Sequence, residues 1–340
     1  MRKLLNTLYI TKQEAYLRKD GLNLVVTINE EEVFRIPIHN IEGVVTFGYI
    51  GASPGAMQLC VENNVSLSFL SPSGRFIAHI YGRTHGNVLL RQSQYRLSND
   101  LSFSLSLSKL FIAGKIQNYR SIIRRAIRDN GQNEALENAA QKLEWSKKKV
   151  LQVSDEDQLR GVEGDAAGYY FEVLPQLIIQ QKEDFVFHGR NKRPPKDEVN
   201  VLLSFVYTLL ANDVAAALET VGLDPYVGFL HKIRPGRTSL ALDMMEELRA
   251  YLGDRLVLSL INRRQITKRH FIRQVDDALL LDDEGRKILI TTWQERKKQE
   301  LVHPFLGEKI SVGLLPYAQA MLLARYLRGD IDNYPVFIIK

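Results

Sequence analysis

The chain has 340 residues, 45% of them hydrophobic and 25% charged, with a formal net charge of +6. This is the composition of an ordinary globular protein of one large domain or two smaller ones, and it excludes low-complexity and collagen-like chains. The lone cysteine, Cys60, excludes an internal disulfide and points to a reducing compartment.

A pI of about 9.2 suits nucleic acid or another polyanion as partner, a weak signal by itself. The opening segment MRKLLNTLYITKQEAYL lacks the long apolar core of a signal peptide. The longest apolar stretch, residues 201–211, is shorter than the roughly 20 residues that span a bilayer. The expectation is a cytoplasmic protein with no membrane segment.

Residues 1 to about 82 read as β structure. Residues 4–10 form a short apolar run. Residues 15–18 and 22–28 flank Lys19-Asp20-Gly21, and Asp-Gly between two strand-like runs signals a hairpin. Residues 33–38 alternate at period two, and Pro37 marks an edge or a bulge. Residues 44–47 make another strand. Ser53 caps a helix that Pro54 opens and that ends near Asn63-Asn64. Cys60, in its apolar run, reads as a small buried hydrophobe rather than a nucleophile. Strands resume at 66–70 and 76–81, joined by the turn Pro72-Ser73-Gly74.

Beyond residue 85 the period changes. Residues 105–127, 133–150, 155–179, 199–221 and 239–260 carry apolar side chains at three- and four-residue spacing, the mark of amphipathic helices. A polar loop, residues 188–197, interrupts them with Arg190, Lys192, Arg193 and Pro194-Pro195. β first and α after, without alternation, predicts an α+β protein. Its parts are a small N-terminal β domain, residues 1–84, and a larger all-α domain, residues 85–340.

Three segments carry candidate chemistry. In Gly161-Val162-Glu163-Gly164-Asp165-Ala166-Ala167-Gly168, each glycine costs a helix about 1 kcal/mol against alanine. Such glycines mark close approach of a ligand to Glu163, or a helix crossing that needs small residues. Pro225 and Gly228 punctuate a loop that delivers His231 beside Phe229 and Leu230, for a structural or a ligating role. Asp243 and Glu246 share one helical face, either as ordinary surface acids near Arg249 or as cation ligands. Basic residues cluster at Arg120/Arg124/Arg125/Arg128, Lys147-Lys148-Lys149, Arg190/Lys192/Arg193, Arg263-Arg264 with Lys268-Arg269, and Arg296-Lys297-Lys298. Singly each is a solvated face; together, interleaved with Tyr119, Phe271 and Trp293, they suit a phosphate backbone.

GVEGDAAGYYF (161–171), LDPYVGFLHKIRPGRTSLALDMMEELR (223–249) and INRRQITKRHF (261–271) resemble the CRISPR adaptation integrases, the family of CRISPR-associated protein one. The β-then-α layout extends the resemblance over essentially the whole chain. It implies an N-terminal domain that forms a homodimer and a helical catalytic domain. It implies a heterohexamer, in which two such dimers flank a dimer of a small ferredoxin-like second protein. The implied activity is insertion of short double-stranded DNA segments into a CRISPR array, by attack of a 3′-hydroxyl on a phosphodiester. The implied metal site, for Mg²⁺ or Mn²⁺, is Glu163, His231 and Glu246, with Asp243 a further acid close to the metal. Glu246 stands where some members carry aspartate. The uninterrupted LDPYVGFLH and LDMMEELR forms look most like members from type I systems, some of which work with an iron–sulfur nuclease that trims DNA ends. Lys232 and Arg237 flank the site and by position are candidates to hold the phosphate. A histidine ligates only when neutral, so activity is expected to fall at acid pH. Two other readings use the same residues: a stand-alone metal-dependent, structure-selective DNA nuclease, and a non-catalytic DNA-binding scaffold.

Overall fold

The period-two segments fold as strands where the pattern places them. The computed structural model describes residues 7–41, 43–48, 50–70, 76–80, 88–191, 195–274 and 279–339. The turn 72–74, the expected domain boundary at 84/85, and Lys192, Arg193 and Pro194 lie outside the described residues, as do residues 4–6 and Tyr81.

The N-terminal part holds β1 (Thr7–Ile10), β2 (Ala15–Asp20), β3 (Asn23–Ile28), β4 (Glu31–Pro37), β5 (Gly43–Phe47), β6 (Gly51–Ala52), α1 (Pro54–Glu62), β7 (Ser66–Leu70) and β8 (Phe76–Ile80). They form two four-stranded sheets, ordered β1-β5-β7-β8 and β4-β3-β2-β6. The Asp-Gly hairpin forms: Asp20 pairs with Asn23, and Gly21 takes a φ of 57° that side chains disfavour. Pro37 ends β4 on the sheet edge, where its missing N–H costs nothing. Ser53 caps α1 by accepting from the Ala56 N–H.

In the first sheet β1, β5 and β7 run parallel, and β5 is buried along its whole length. Successive side chains of β5 point to opposite faces. Val44 joins Leu17, Leu24, Leu59 and Leu67 in a core between the sheets and α1. Val45 and Phe47 face the other way, into the helical core, where Phe47 stacks on Phe205 with ring centroids 5.5 Å apart. One strand thus ties the β part to the α part.

The helical part follows as α2 (Val88–Asn99), α3 (Leu101–Asn130), α4 (Glu134–Gln152), α5 (Glu156–Leu177), α6 (Glu198–Val221), α7 (Ser239–Leu248), α8 (Arg255–Asn262), α9 (Asp283–Lys298) and α10 (Leu315–Arg328). Five of these starts are set by one chemistry: Asp100, Asn133, Asp155, Asp197 and Asp282 each accept from N–H groups of the first turn. Two short ribbons interrupt the helices, β9 (Phe271–Arg273) with β10 (Leu279–Leu281) and β11 (Glu300–Val302) with β12 (Lys309–Ser311). By length and composition α6 is apolar enough to cross a membrane. Its Leu202, Val206, Leu210, Val214 and Leu218 are buried in the fold, which accounts for that composition by core packing. Between α7 and α8 the helix widens into a π-helical turn, Arg249–Asp254, a form that concentrates at functional sites.

Candidate active site

The long helix α3 buries one face through Phe111, Ile112, Ile116 and Tyr119, and Lys115 lies on this buried side. A lysine there needs partners, because a lone buried ammonium is costly. Its partners are two carboxylates from different helices. The Lys115 ammonium pairs with Glu163 of α5 and, at 2.9 Å, with Oε2 of Glu246 of α7. Arg249, the first residue of the π-helical turn, pairs with the other Glu246 oxygen at 2.8 Å. Burial alone would raise the Glu246 carboxyl, but Arg249, Lys115 and His231 hold it down at about 2. Glu246 is therefore an anion in the interior, and the reading of Asp243 and Glu246 as surface acids falls, since both are buried.

His231 lies on the loop between α6 and α7. The Asp243 carboxylate accepts from the backbone N–H groups of Phe229 (2.6 Å), Leu230 (3.0 Å) and His231 (2.9 Å), and meets His231 Nδ1 at 2.7 Å. Both Asp243 oxygens are thereby used inside the protein. Asp243 fixes the loop and the imidazole, leaving Nε2 as the ring nitrogen free of this clamp. Gly228 permits this: a Cβ there would lie 2.7 Å from Asp243 Oδ2 and 2.9 Å from the Ser239 carbonyl carbon.

The α5 glycines do not serve a helix crossing. Among the described residues, no atom other than the helix's own neighbouring backbone lies within 4 Å of a Cβ built on Gly161, Gly164 or Gly168. That side of α5 is open, and Glu163 keeps about a third of its side chain exposed, at 32%. A cavity of about 660 Å³ adjoins it, lined by Lys115, Glu163, Gly168, Arg190, Tyr207 and Arg249 among others. Tyr207 stands between two guanidiniums, with the Arg190 and Arg249 carbons 5.4 and 5.2 Å from its ring centroid. Its hydroxyl donates to Asp254 at 2.6 Å, and burial pushes the Asp254 carboxyl up to about 6.

Glu163 and Glu246 thus meet at one cation seat, with His231 acting on Glu246 from the neighbouring loop. Among the described residues no three His, Cys, Asp or Glu side chains are gathered closely enough to close on one ion, and Lys115 occupies the space between the two glutamates. The donor set, two carboxylates and an imidazole, suits Mg²⁺ or Mn²⁺, and the ammonium already between the carboxylates shows that the seat favours a cation. Lys232 is exposed and acts on Asp157 at the start of α5; neither it nor Arg237 lines the cavity. Among the described residues, the cations that do are Lys115, Arg190 and Arg249. Sequence reading missed Lys115, whose one signal is a lysine interrupting the apolar run Phe111-Ile112-Ala113-Gly114, and took Arg249 only as a neighbour of surface acids although it stands at i+3 from Glu246. Tyr119 and Trp293 are buried and cannot stack on an incoming base.

Residues 8–295 match the family model described as CRISPR associated protein Cas1. The chain is 49% identical over 347 residues to CRISPR-associated endonuclease Cas1 2 of Rhodospirillum rubrum, covering 100% of both chains. It is 48% identical over 341 residues to CRISPR-associated endonuclease Cas1 1 of Chlorobaculum tepidum, covering 99% of both. Its fold matches that of a casposase bound to integration product with a TM-score of 0.84 at 22% identity, covering 98% of this chain and 93% of that one. The chain belongs to the Cas1 family of CRISPR-associated proteins.

Proposed function

We propose that this chain joins short DNA segments to a target strand by attack of a 3′-hydroxyl on a phosphodiester, using a divalent cation held by Glu163, His231 and Glu246. The observation that carries the reading is the seat shared by Glu163 and Glu246 beside an imidazole fixed by Asp243. When bound there, Mg²⁺ or Mn²⁺ supplies Lewis-acid stabilisation of the charge that develops on phosphoryl and leaving oxygens.

The remaining work falls to this chain's own groups. Glu163 and Glu246 would hold the cation by charge, and Asp243 fixes the His231 imidazole through Nδ1, leaving Nε2 as its ligating nitrogen. Arg190, Arg249 and Lys115 line the cavity and offer positive charge to the phosphate entering beside Glu163. Gly168 lines the cavity along with Glu163, and its missing side chain keeps that part of the wall low for an entering DNA backbone. The partners are double-stranded DNA, a second copy of the chain through the N-terminal domain, and the small ferredoxin-like second protein of the adaptation complex. The iron–sulfur end-trimming nuclease is a further partner on the same resemblance.

The test mixes the chain with its second protein, a short duplex with free 3′-hydroxyls, and a supercoiled plasmid carrying a repeat. With Mn²⁺ or Mg²⁺ the wild type joins duplex to plasmid. Glu163→Ala, or chelator, gives no joined product, while melting temperature and gel shift stay near wild type. Joining by Glu163→Ala at the wild-type rate removes Glu163 from the mechanism. Fragments without joined product favour a stand-alone nuclease.

A further inference from the structure

Away from the cavity, helices α8 and α9 bring two arginines to one tyrosine, and an arginine of α3 adds its charge to one of them. Tyr251, in the π-helical turn, has the Arg255 guanidinium carbon of α8 5.0 Å from its ring centroid and that of Arg296 of α9 4.6 Å from it. Arg125 of α3 acts by charge on Arg255. Such a cluster normally recruits carboxylates. Among the described residues, Arg255 has no ion pair and no hydrogen bond. Arg296 donates from Nη1 to Gln299 at 2.5 Å, and its Nη2 is buried without a partner. Arg125 spends only its Nε on Asp129, at 3.2 Å. Burial, then Arg296 and Arg125, lower the Arg255 guanidinium to about 10, and only Tyr251 acts the other way.

We infer that Arg125, Arg255 and Arg296 form a second phosphate-binding site, which takes a phosphodiester of the DNA backbone distant from the reacting one. Guanidinium forks match phosphate oxygens in pairs, and stacking on Tyr251 fixes two of them in orientation. Unspent donors next to uncompensated positive charge are what an anion completes. Ten residues of α3 separate Arg125 from Lys115, a rise of about 15 Å. At about 3.4 Å per nucleotide along a strand, that places the contact roughly four nucleotides from the site at Glu163. The inference rests on the strand-joining reading for its ligand, and its test is kept separate from that reading.

The test is binding of a fluorescein-labelled duplex, followed by anisotropy in chelator across a range of salt, for wild type, Arg125→Gln, Arg255→Gln and Arg296→Gln. Loss of one phosphate contact lowers the log–log salt slope by about 1, which weakens binding about tenfold near 0.1 M salt. Because like charges are being removed, the melting temperatures of the Arg255 and Arg296 variants are expected to stay level or rise. Arg125 is exposed, so its variant carries the test even if a more buried one fails to fold. A slope unchanged in Arg125→Gln and in every folded variant overturns the inference. A parallel arm adds tripolyphosphate: protection of wild type alone, with unchanged DNA slopes, assigns the cluster to a small free anion and overturns the backbone assignment. Strand joining by wild type with unchanged slopes sinks only this inference, whereas failure of wild type to bind or join DNA sinks the reading it rests on.

Discussion

Lys115 is the residue on which the candidate site turns. Its ammonium is the counter-ion for two glutamates, one of them buried. Removing it leaves Glu246 with Arg249 as its ion-pair partner and His231 acting from the loop, so Lys115→Met is expected to destabilise the metal-free protein by up to about 3 kcal/mol. A divalent cation that takes the same seat should restore part of that loss, because it binds only the folded chain. Thermal melting of Lys115→Met with and without Mn²⁺ checks this. The variant should regain more melting temperature on adding Mn²⁺ than wild type gains. An equal response in both would separate the cation from these two carboxylates. At this scale the sequence was partly legible. Glu163, His231 and Glu246 stand in recognisable surroundings, whereas a single lysine in an apolar run does not announce its partners. Asp243 shares a face with Glu246 by spacing, yet only the loop geometry shows that its oxygens are spent on the 229–231 backbone and His231 Nδ1.

At the scale of elements, the apolar period made the helices readable. Periodic segments open at Asn133, Asp155 and Ser239, and α4, α5 and α7 start within a residue of them. Asn133 and Asp155 cap their helices, whereas Thr238, at the N-cap of α7, makes no side-chain cap bond and Ser239 donates to the Lys232 carbonyl instead. The π-helical turn was not readable, since residues 239–260 carry an unbroken helical pattern. Its effect is to present both Arg249 and Asp254 to the Tyr207 side of the cavity. Burial raises Asp254 from 3.8 to about 6, so the folded state holds that proton more tightly than the unfolded chain. Its contribution to stability is full below pH 3.8 and is lost as pH rises through 6. Glu246 has the opposite sign: its contribution is present above 4.5 and is lost only as pH falls through about 2. Asp254→Asn should therefore gain on wild type as pH rises from about 4 to 7, by up to about 3 kcal/mol in urea unfolding. A constant difference between the two proteins across that window would contradict the buried, proton-holding carboxyl.

For the whole molecule, the order of β part and α part was legible because the hydrophobic period changes once, near residue 85. The sheet topology was not. β1, β5 and β7 pair in parallel across intervening strands and α1, and nothing local in the sequence encodes those partners. Nor was the docking of the two parts legible, which depends on β5 being apolar on both faces and on Phe47 reaching Phe205. The basic clusters resolve into different uses. Lys297 pairs with Asp213 at 2.9 Å inside the fold, and Arg120 pairs with Glu144 at 3.3 Å, so neither is a free phosphate contact. Central is the proposal that Glu163 of α5, Glu246 of α7 and His231 of the loop before α7 share a single cation, at the place where Lys115 of α3 now pairs with both glutamates. The direct measurement is a crystal structure with Mn²⁺ and its anomalous difference map at the manganese edge. The expected peak lies between the Glu163 and Glu246 carboxylates and His231, about 2.0–2.3 Å from each ligating atom, with the Lys115 ammonium moved aside. Lys115 still bridging the two glutamates, with manganese bound elsewhere or nowhere, would contradict the account.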